Sequence, residues 1–170
     1  MGIAEKLKKI KLVIFDVDGV LTDNTVFIGP EGSEFKRFCI ADGLGIYIAQ
    51  KHGIRVALLS GRFSEATDTR AKELKIEDIF QGPIDKLEFY DSLKIKYNLK
   101  DENIAFMGND LVDLGVMKQC GFAIAVPDSP KSVIKTADYV TRKGGGFGAA
   151  REVLDMILEA KNIDEENRLA

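Results

Sequence analysis

The chain has 170 residues, with 45% hydrophobic and 30% charged side chains and a formal net charge of −3. This length fits one domain, residues 1–170, that buries a sizeable core. The slightly acidic balance lacks the basic surface typical of nucleic-acid-binding proteins, and no apolar run is long enough for a transmembrane helix. We therefore expect neither nucleic acid nor a membrane among the partners.

The N-terminal segment and the cysteine content indicate a cytoplasmic protein. Residues 1–11 contain lysines, but no apolar stretch of the signal-peptide type follows them. Cys39 and Cys120 are too few for a disulfide framework and lack the spacing of a metal site. We expect both to be reduced thiols.

Short apolar segments alternate with helical segments along the chain. The predicted strands are 12–15, 55–59, 104–107 and 122–126. The predicted helices are 42–52, 64–74, 86–97, 113–119, 130–136 and 149–160. This alternation predicts an α/β fold, a doubly wound Rossmann-like parallel sheet, in which ligands bind beyond the carboxyl ends of the strands.

One segment departs from the alternation. Residues 25–28 and 34–39 are β-prone and flank the turn sequence GPEG, which predicts a β-hairpin over about 25–39, inserted after the first strand. A glycine-rich tail and a final helix occupy about 142–162. The stretch 23–58 holds only the hairpin and one helix, and the stretch 62–86 is too short for a domain, so we expect no separate cap domain.

The sequence DVDG follows the first strand. Asp16 and Asp18 are two residues apart, so both side chains can point the same way, and Gly19 permits a sharp turn. Paired carboxylates with a nearby carbonyl are hard oxygen ligands that suit Mg²⁺. The alternative is an Asp-rich turn that caps nearby amides.

Further polar residues follow the later strands. Ser60 and Arg62 in LLSGR can bind phosphate oxygens through a hydroxyl, backbone amides and a guanidinium. Lys86 opens a helix, where its charge opposes the helix dipole, which favours a role facing acidic groups. After the 104–107 strand come Asn109, Asp110 and Asp113, a second group of oxygen-bearing side chains, one of which could supply the remaining ligand of a metal.

In this order and spacing, the four segments resemble the haloacid dehalogenase superfamily of phosphotransferases over nearly the whole chain. The resemblance implies that Asp16 is the nucleophile, which takes the phosphoryl group as an aspartyl-phosphate. It implies that Asp18 protonates the leaving oxygen and later deprotonates the attacking water. Ser60 and Lys86 complete the implied catalytic set, and Mg²⁺ with Lys86 balances the crowded carboxylates.

The fourth motif departs from the superfamily pattern. That motif commonly reads G-D-x-x-x-D, with its first Asp on the metal, whereas this chain has Asn109 there and Asp113 in the second place. The expected metal ligands are Asp16, Asp18 and Asn109, with Asp110 as the alternative to Asn109. An amide oxygen can bind Mg²⁺ but carries no charge, so the change could weaken the metal site.

Closer details resemble the cap-less family of 3-deoxy-D-manno-octulosonate 8-phosphate (KDO 8-phosphate) phosphatases. They are the segments ADGLGI, LLSGR and GGGFGAAREV. The resemblance implies a phosphoric monoester hydrolase of lipopolysaccharide biosynthesis whose substrate is a phosphorylated sugar acid. The implied substrate-binding residues are Asp18, Cys39, Ile40, Ala41, Asp42, Gly43, Tyr47, Arg62, Arg70 and Lys86.

Three alternatives stay open at this point. One is a phosphatase for another sugar acid phosphate, of the sialic acid type. The second is a non-catalytic receiver-like module that holds a phospho-Asp, although such a module lacks an acid–base group like Asp18. The third is a catalytically impaired homologue, which Asn109 keeps open.

The hairpin also predicts self-association. It carries Phe27, Phe35 and Phe38 and presents strand edges, which proteins usually pair or cover. We therefore expect a homo-oligomer built through the hairpin, and the family resemblance implies a tetramer. The glycine-rich tail, with Arg142, Lys143 and Arg151, is a second candidate for covering the site.

Overall fold

The structure, a computed structural model of the chain, describes residues 2–82 and 85–169. The strands are β1 (Leu12–Phe15), β2 (Phe27–Ile28), β3 (Glu34–Phe35), β4 (Arg55–Ser60), β5 (Asp78–Gln81), β6 (Ile104–Gly108), β7 (Phe122–Ala125) and β8 (Tyr139–Val140). The α-helices are α1 (Ile3–Lys9), α2 (Ile40–Lys51), α3 (Glu65–Glu73), α4 (Lys86–Tyr97), α5 (Leu114–Gln119), α6 (Lys131–Thr136) and α7 (Ala149–Ala160).

Six strands form one parallel sheet in the order β5-β4-β1-β6-β7-β8. Side chains alternate along each strand, so β1 sends Val13 and Phe15 into one core and Leu12 and Ile14 into the other. Helices α1, α2, α3 and α7 cover the first face, and α4, α5 and α6 cover the second. The predicted α/β doubly wound sheet is confirmed.

The structure adds three elements that the sequence did not predict. They are α1 and the strands β5 and β8, which form the two edges of the sheet. The edge strands are only partly buried, so their sequences lack the continuous apolar run of the central strands. Over the described ranges, no helix combines the length and the apolar composition needed to cross a bilayer.

The inserted hairpin is shorter than the predicted span of 25–39. Strands β2 and β3 pair antiparallel over two residues each, and a separate bridge joins Thr22 to Phe38. The hairpin leaves the carboxyl end of β1 and leads into α2. This connection places it beside the edge of the sheet where the candidate site residues lie.

The glycine-rich segment before α7 packs against the loop that follows β1. A Cβ atom on Gly145 would lie 1.9 Å from the carbonyl oxygen of Gly19. The N–H of Gly146, whose φ is +69°, donates to the carbonyl of Val20 at 3.0 Å. Since the two backbones are in contact, these glycines support the loop after β1 of the same chain. This role differs from that of a mobile lid over the site.

Candidate active site

The site is built on the loop that follows β1. The backbone N–H of Asp16 donates to the carbonyl of Met107 at 2.9 Å, which ties the start of the loop to β6. Gly19 has a φ of +91°, and a Cβ atom there would lie 2.1 Å from Nδ2 of Asn109. A glycine is therefore required both by the backbone conformation and by the close approach of the β6 loop.

A cleft of about 270 Å³ opens at this edge of the sheet. The residues that line it are Asp16, Asp18, Asn24, Ser60, Gly61, Arg62, Lys86, Asn109, Asp110 and Val112. All the predicted catalytic and metal-binding residues are in this set. Their convergence follows from the parallel sheet, because β1, β4 and β6 are neighbours and all end at the same edge.

The centre of the cleft is a buried lysine between two buried carboxylates. Lys86 donates from Nζ to Oδ1 of Asp16 at 2.6 Å and to Oδ1 of Asp113 at 2.5 Å. Lys86 is the first residue of α4, and the side chain of Asp85 caps that helix by accepting from the N–H of Leu87. The unfavourable dipole at a helix start is thus offset by two carboxylates in direct contact.

Burial sets the protonation of this centre. Desolvation raises the pKa of Asp16 to about 7, against the lowering effect of the Lys86 ammonium group. For Lys86, burial lowers the pKa, but the carboxylates of Asp16 and Asp113 outweigh it, so its pKa is raised overall. Lys86 therefore stays charged, and with its pKa at about 7 Asp16 needs positive charge in addition to that of Lys86 to be fully ionised at neutral pH.

Asp113 organises the loop after β6. Its Oδ2 accepts from the backbone N–H of Asn109 at 2.9 Å and of Asp110 at 3.1 Å, while its Oδ1 accepts from Lys86. Asp110 has one carboxylate oxygen, Oδ1, engaged with the N–H of Leu111 at 2.7 Å. The amide nitrogen of Asn109 is the atom nearest to the Cβ position of Gly19, and Asn109 lines the same cleft as Asp16 and Asp18.

The β4 loop contributes a hydroxyl and a guanidinium. Ser60 is buried and its Oγ donates to the carbonyl of Arg62 at 3.0 Å, which fixes the tight turn at Gly61. The side chain of Arg62 is 45% exposed and donates from Nη2 to Oε2 of Glu34 at 2.6 Å. Hydrogen bonds from Arg62 and Ser64 lower the pKa of Glu34, so this hairpin carboxylate is ionised.

Two hairpin residues reach the site although the sequence analysis did not single them out. They are Glu34, which binds Arg62, and Lys36, whose Nζ lies 2.7 Å from Oδ1 of Asp18. The sequence did contain one indication that Glu34 and Lys36 act together, because side chains alternate along a strand and residues 34 and 36 must face the same side. Their proximity to the catalytic loop depends on how the hairpin folds back, which periodicity does not reveal.

The other predicted substrate-binding residues lie on and beside α2, outside the lining of the cleft. Asp42 is buried and accepts from the backbone N–H of Arg151 at 2.8 Å, and burial raises its pKa. Arg70 donates to the carbonyl of Cys39 at 3.4 Å and pairs with Glu73. The remaining members of this group are Ile40, Ala41 and Tyr47, which are exposed, and Gly43, which is buried.

A metal ion at this site would need ligands beyond acidic side chains. Over residues 2–82 and 85–169, no three His, Cys, Asp or Glu side chains gather as a metal site. Asp16, Asn109 and the backbone of the β1 loop nevertheless bring carboxylate, amide and carbonyl oxygens to one cleft. These are the donors that Mg²⁺ prefers, so the residues present fit that ion.

Comparison with known proteins adds independent findings. The profile of the haloacid dehalogenase-like hydrolases matches residues 59–150. The 3-deoxy-D-manno-octulosonate 8-phosphate phosphatase of Escherichia coli K12 is 42% identical over 161 residues, which cover 94% of this chain and 86% of that protein.

Solved structures give the same result. The 3-deoxy-D-manno-octulosonate 8-phosphate phosphatase of Moraxella catarrhalis, in complex with magnesium, phosphate and KDO, has a TM-score of 0.91 and 42% identity, with coverage of 94% of this chain and 91% of that chain. The enzyme of the same name from Yersinia pestis has a TM-score of 0.93 and 39% identity, covering 95% and 87% respectively.

Proposed function

The chain belongs to the family of the 3-deoxy-D-manno-octulosonate 8-phosphate phosphatases within the haloacid dehalogenase-like hydrolases, and we propose that it hydrolyses the same phosphomonoester. The products are 3-deoxy-D-manno-octulosonate and phosphate, and the reaction serves lipopolysaccharide biosynthesis. The observation that carries this proposal is the buried Lys86 between Asp16 and Asp113, at the end of the central strand β1.

Asp16 is the proposed nucleophile. One of its carboxylate oxygens attacks phosphorus, the bond between phosphorus and the sugar oxygen breaks, and Asp18 gives its proton to that oxygen. Water then attacks the aspartyl-phosphate, its proton passes to Asp18, and phosphate leaves Asp16 unchanged. Lys86 supplies positive charge next to Asp16 throughout, and Asp113 holds Lys86 in place.

The proposed phosphate-binding groups come from the β4 loop. Ser60 and Gly61 line the same cleft as Asp16, and the exposed Arg62 offers a planar donor for an anionic group. In the structure, Nη2 of Arg62 donates to Glu34. A substrate carboxylate or phosphate would therefore compete with Glu34 for Arg62, or share the guanidinium with it.

Mg²⁺ is the proposed cofactor, and the proposed ligands are Asp16, Asp18 and Asn109. When bound, the ion neutralises charge on the transferring phosphoryl group and on the carboxylates around it. Asn109 is preferred to Asp110 because it stands at the position of the metal-binding Asp in the superfamily's fourth motif, and because one oxygen of Asp110 is engaged with Leu111.

The group around α2 remains a proposed contact for the sugar acid. Its members outside the cleft are Cys39, Ile40, Ala41, Asp42, Gly43, Tyr47 and Arg70. The exposed side chains of Ile40 and Tyr47 are accessible to a substrate that extends past the cleft, or to a neighbouring subunit. Arg70 is the cation of this group that suits a carboxylate.

A homo-oligomer, as a tetramer, is the proposed assembly. The hairpin exposes Phe27, Ile28 and Phe35 by 64%, 68% and 64% respectively, and apolar side chains so exposed on a short two-stranded sheet favour association. Light scattering at micromolar concentration tests this. A monomeric mass with full activity would rule out the homo-oligomer.

Location in the cytoplasm stays a prediction.

Phosphate release across a panel of sugar phosphates, with and without Mg²⁺, tests the function. We expect KDO 8-phosphate to be hydrolysed fastest and chelation of the metal to stop the reaction. A nine-carbon acid phosphate of the sialic acid type is the matched competitor, and its preference over KDO 8-phosphate would reassign the substrate. Stable phosphorylation of Asp16 without turnover would indicate a receiver-like module instead.

A further inference from the structure

The hairpin places a cation directly on the proposed acid–base residue. Nζ of Lys36 lies 2.7 Å from Oδ1 of Asp18, and the Lys36 side chain has no solvent exposure. A buried ammonium group costs several kcal/mol unless it is paired, so this position is maintained by its partners. The short distance and the complete burial of the Lys36 side chain set this pair apart from an exposed ion pair of little energetic consequence, although the Asp18 side chain is 22% exposed.

Among the described residues, no hydrogen bond fixes the orientation of the Asp18 carboxylate. Within the described residues, both carboxylate oxygens of Asp18 are buried and neither has a hydrogen bond of good geometry. Lys36 is thus held close by charge, at an angle that does not satisfy the directional requirement of a hydrogen bond. The lone pairs of the carboxylate are therefore not engaged by a hydrogen-bond donor of the described residues.

The other polar neighbours of Lys36 are weaker or already engaged. Oγ1 of Thr67 lies 3.3 Å from its Nζ, and Oε1 of Glu34 lies 3.7 Å away. Glu34 itself binds Arg62 and Ser64 at 2.6 Å each, so it is tied to the β4 side of the cleft. Asp18 is therefore the closest charged partner of Lys36.

We propose that Lys36 is a positioning residue for Asp18, which holds the carboxylate in the direction needed for proton transfer to the leaving oxygen and from the attacking water. This inference rests on the proposed phosphatase function. The structural alternative is that Lys36 only anchors the hairpin. Anchoring would affect stability and substrate binding, whereas positioning affects the steps in which Asp18 moves a proton.

The leaving group separates these two roles. A sugar alkoxide needs a proton to depart, whereas p-nitrophenolate is a good leaving group and departs without one. With p-nitrophenyl phosphate, phosphorylation of Asp16 bypasses the acid, but hydrolysis of the aspartyl-phosphate still needs the base. Loss of Lys36 should therefore leave the first release of p-nitrophenolate intact and slow the turnovers that follow.

The test is Lys36→Met in the full-length protein, with wild type alongside. For KDO 8-phosphate, we expect kcat to fall by about 10- to 100-fold, the effect of a misplaced catalytic group, with KM changed by less than about threefold. For p-nitrophenyl phosphate, we expect a burst of p-nitrophenolate at the wild-type rate, followed by slow steady-state turnover. A burst slowed as much as the steady state would overturn the proposal in favour of general damage.

Two further variants complete the design. Thr67→Val removes the neutral neighbour of Lys36 and should leave kcat within about threefold of wild type. Combining Lys36→Met with Asp18→Asn should cost no more than Asp18→Asn alone, because residues that act through one another are not additive. Independent, additive losses would contradict a role through Asp18.

Folding and function are checked separately. Circular dichroism and urea unfolding establish whether Lys36→Met folds, and if it does not, Lys36→Gln, which keeps a polar head, carries the same expectations. If wild type releases phosphate while either variant keeps its kcat within threefold, the inference alone fails. If wild type releases no phosphate from any substrate, the proposed function fails and this inference with it.

Discussion

Asn109→Asp is the substitution that most directly probes the metal site. In the structure, the carboxylates of Asp16, Asp18 and Asp113 face the ammonium groups of Lys36 and Lys86. With all five groups ionised, the cluster has one excess negative charge, and a carboxylate at position 109 would raise the excess to two. A divalent cation is attracted more strongly to the second arrangement.

The size of the effect follows from Coulomb's law. Two unit charges about 4 Å apart interact by roughly 4 kcal/mol at an effective dielectric of 20, and a divalent ion doubles this to roughly 8 kcal/mol. Dehydration of the ion and of the new carboxylate cancels most of that gain. We expect a net gain of about 1–3 kcal/mol, or roughly 5- to 150-fold in Mg²⁺ affinity. Without metal, the added repulsion should lower the melting temperature by about 2–4 °C.

Isothermal titration with Mg²⁺ measures the affinity, and thermal unfolding in chelator measures the metal-free stability. Asn109→Ala should weaken Mg²⁺ binding, because it removes an oxygen ligand, and Asp110→Asn is the matched control that leaves Asn109 in place. If both changes at position 109 leave the Mg²⁺ affinity as in wild type while Asp110→Asn lowers it, the ligand is Asp110 and the assignment of Asn109 is wrong.

Three further changes test other parts of the site. Asp16→Asn should abolish phosphate release while leaving the fold intact, because an amide cannot form the acyl-phosphate; substantial activity in a clean preparation would remove Asp16 as nucleophile. Asp18→Asn should slow turnover by roughly 10²–10⁴-fold and trap phosphorylated Asp16, detectable by intact-mass spectrometry; normal turnover would leave Asp18 as a ligand only. Gly145→Ala should raise KM and destabilise the fold by about 1–3 kcal/mol, because its Cβ would lie 1.9 Å from the Gly19 carbonyl. Gly144→Ala, whose Cβ would have its nearest neighbour at 3.8 Å, is the control, and equal effects in urea unfolding would disprove the role of the close contact.

The sequence predicted the parts of the site that depend on strand ends. Asp16 and Asn109 follow central strands and Ser60 is the last residue of another, and a parallel sheet brings such positions to one edge regardless of loop detail. Lys86 was identified because its charge is unfavourable at a helix start unless acidic groups face it. Its pairing with Asp113 required the structure, since it depends on how α4 packs beside the β6 loop.

The contacts made by inserted segments could not be predicted in the same way. Glu34 and Lys36 lie in a hairpin whose strands pair over only two residues each, so neither its length nor its tilt follows from periodicity. The glycine-rich segment indicated close approach but not its target. In the structure, the glycines approach the backbone of Gly19 and its neighbours. This contact could not be predicted, because glycines show that another segment comes close but not which segment it is.

Alternation along the second hairpin strand links the cleft to the outer surface of the molecule. Glu34 and Lys36 face inward, where they bind Arg62 and Asp18, while Phe35 and Arg37 face outward. Arg37 pairs with Asp23 and lies 4.0 Å above the ring of Phe147 in the glycine-rich segment. Because four consecutive residues share one backbone, a surface that packs on Phe35 also restrains the groups that orient Asp18 and Arg62. Association through the hairpin would therefore stabilise the geometry of the cleft even if the neighbouring subunit supplied no side chain to it.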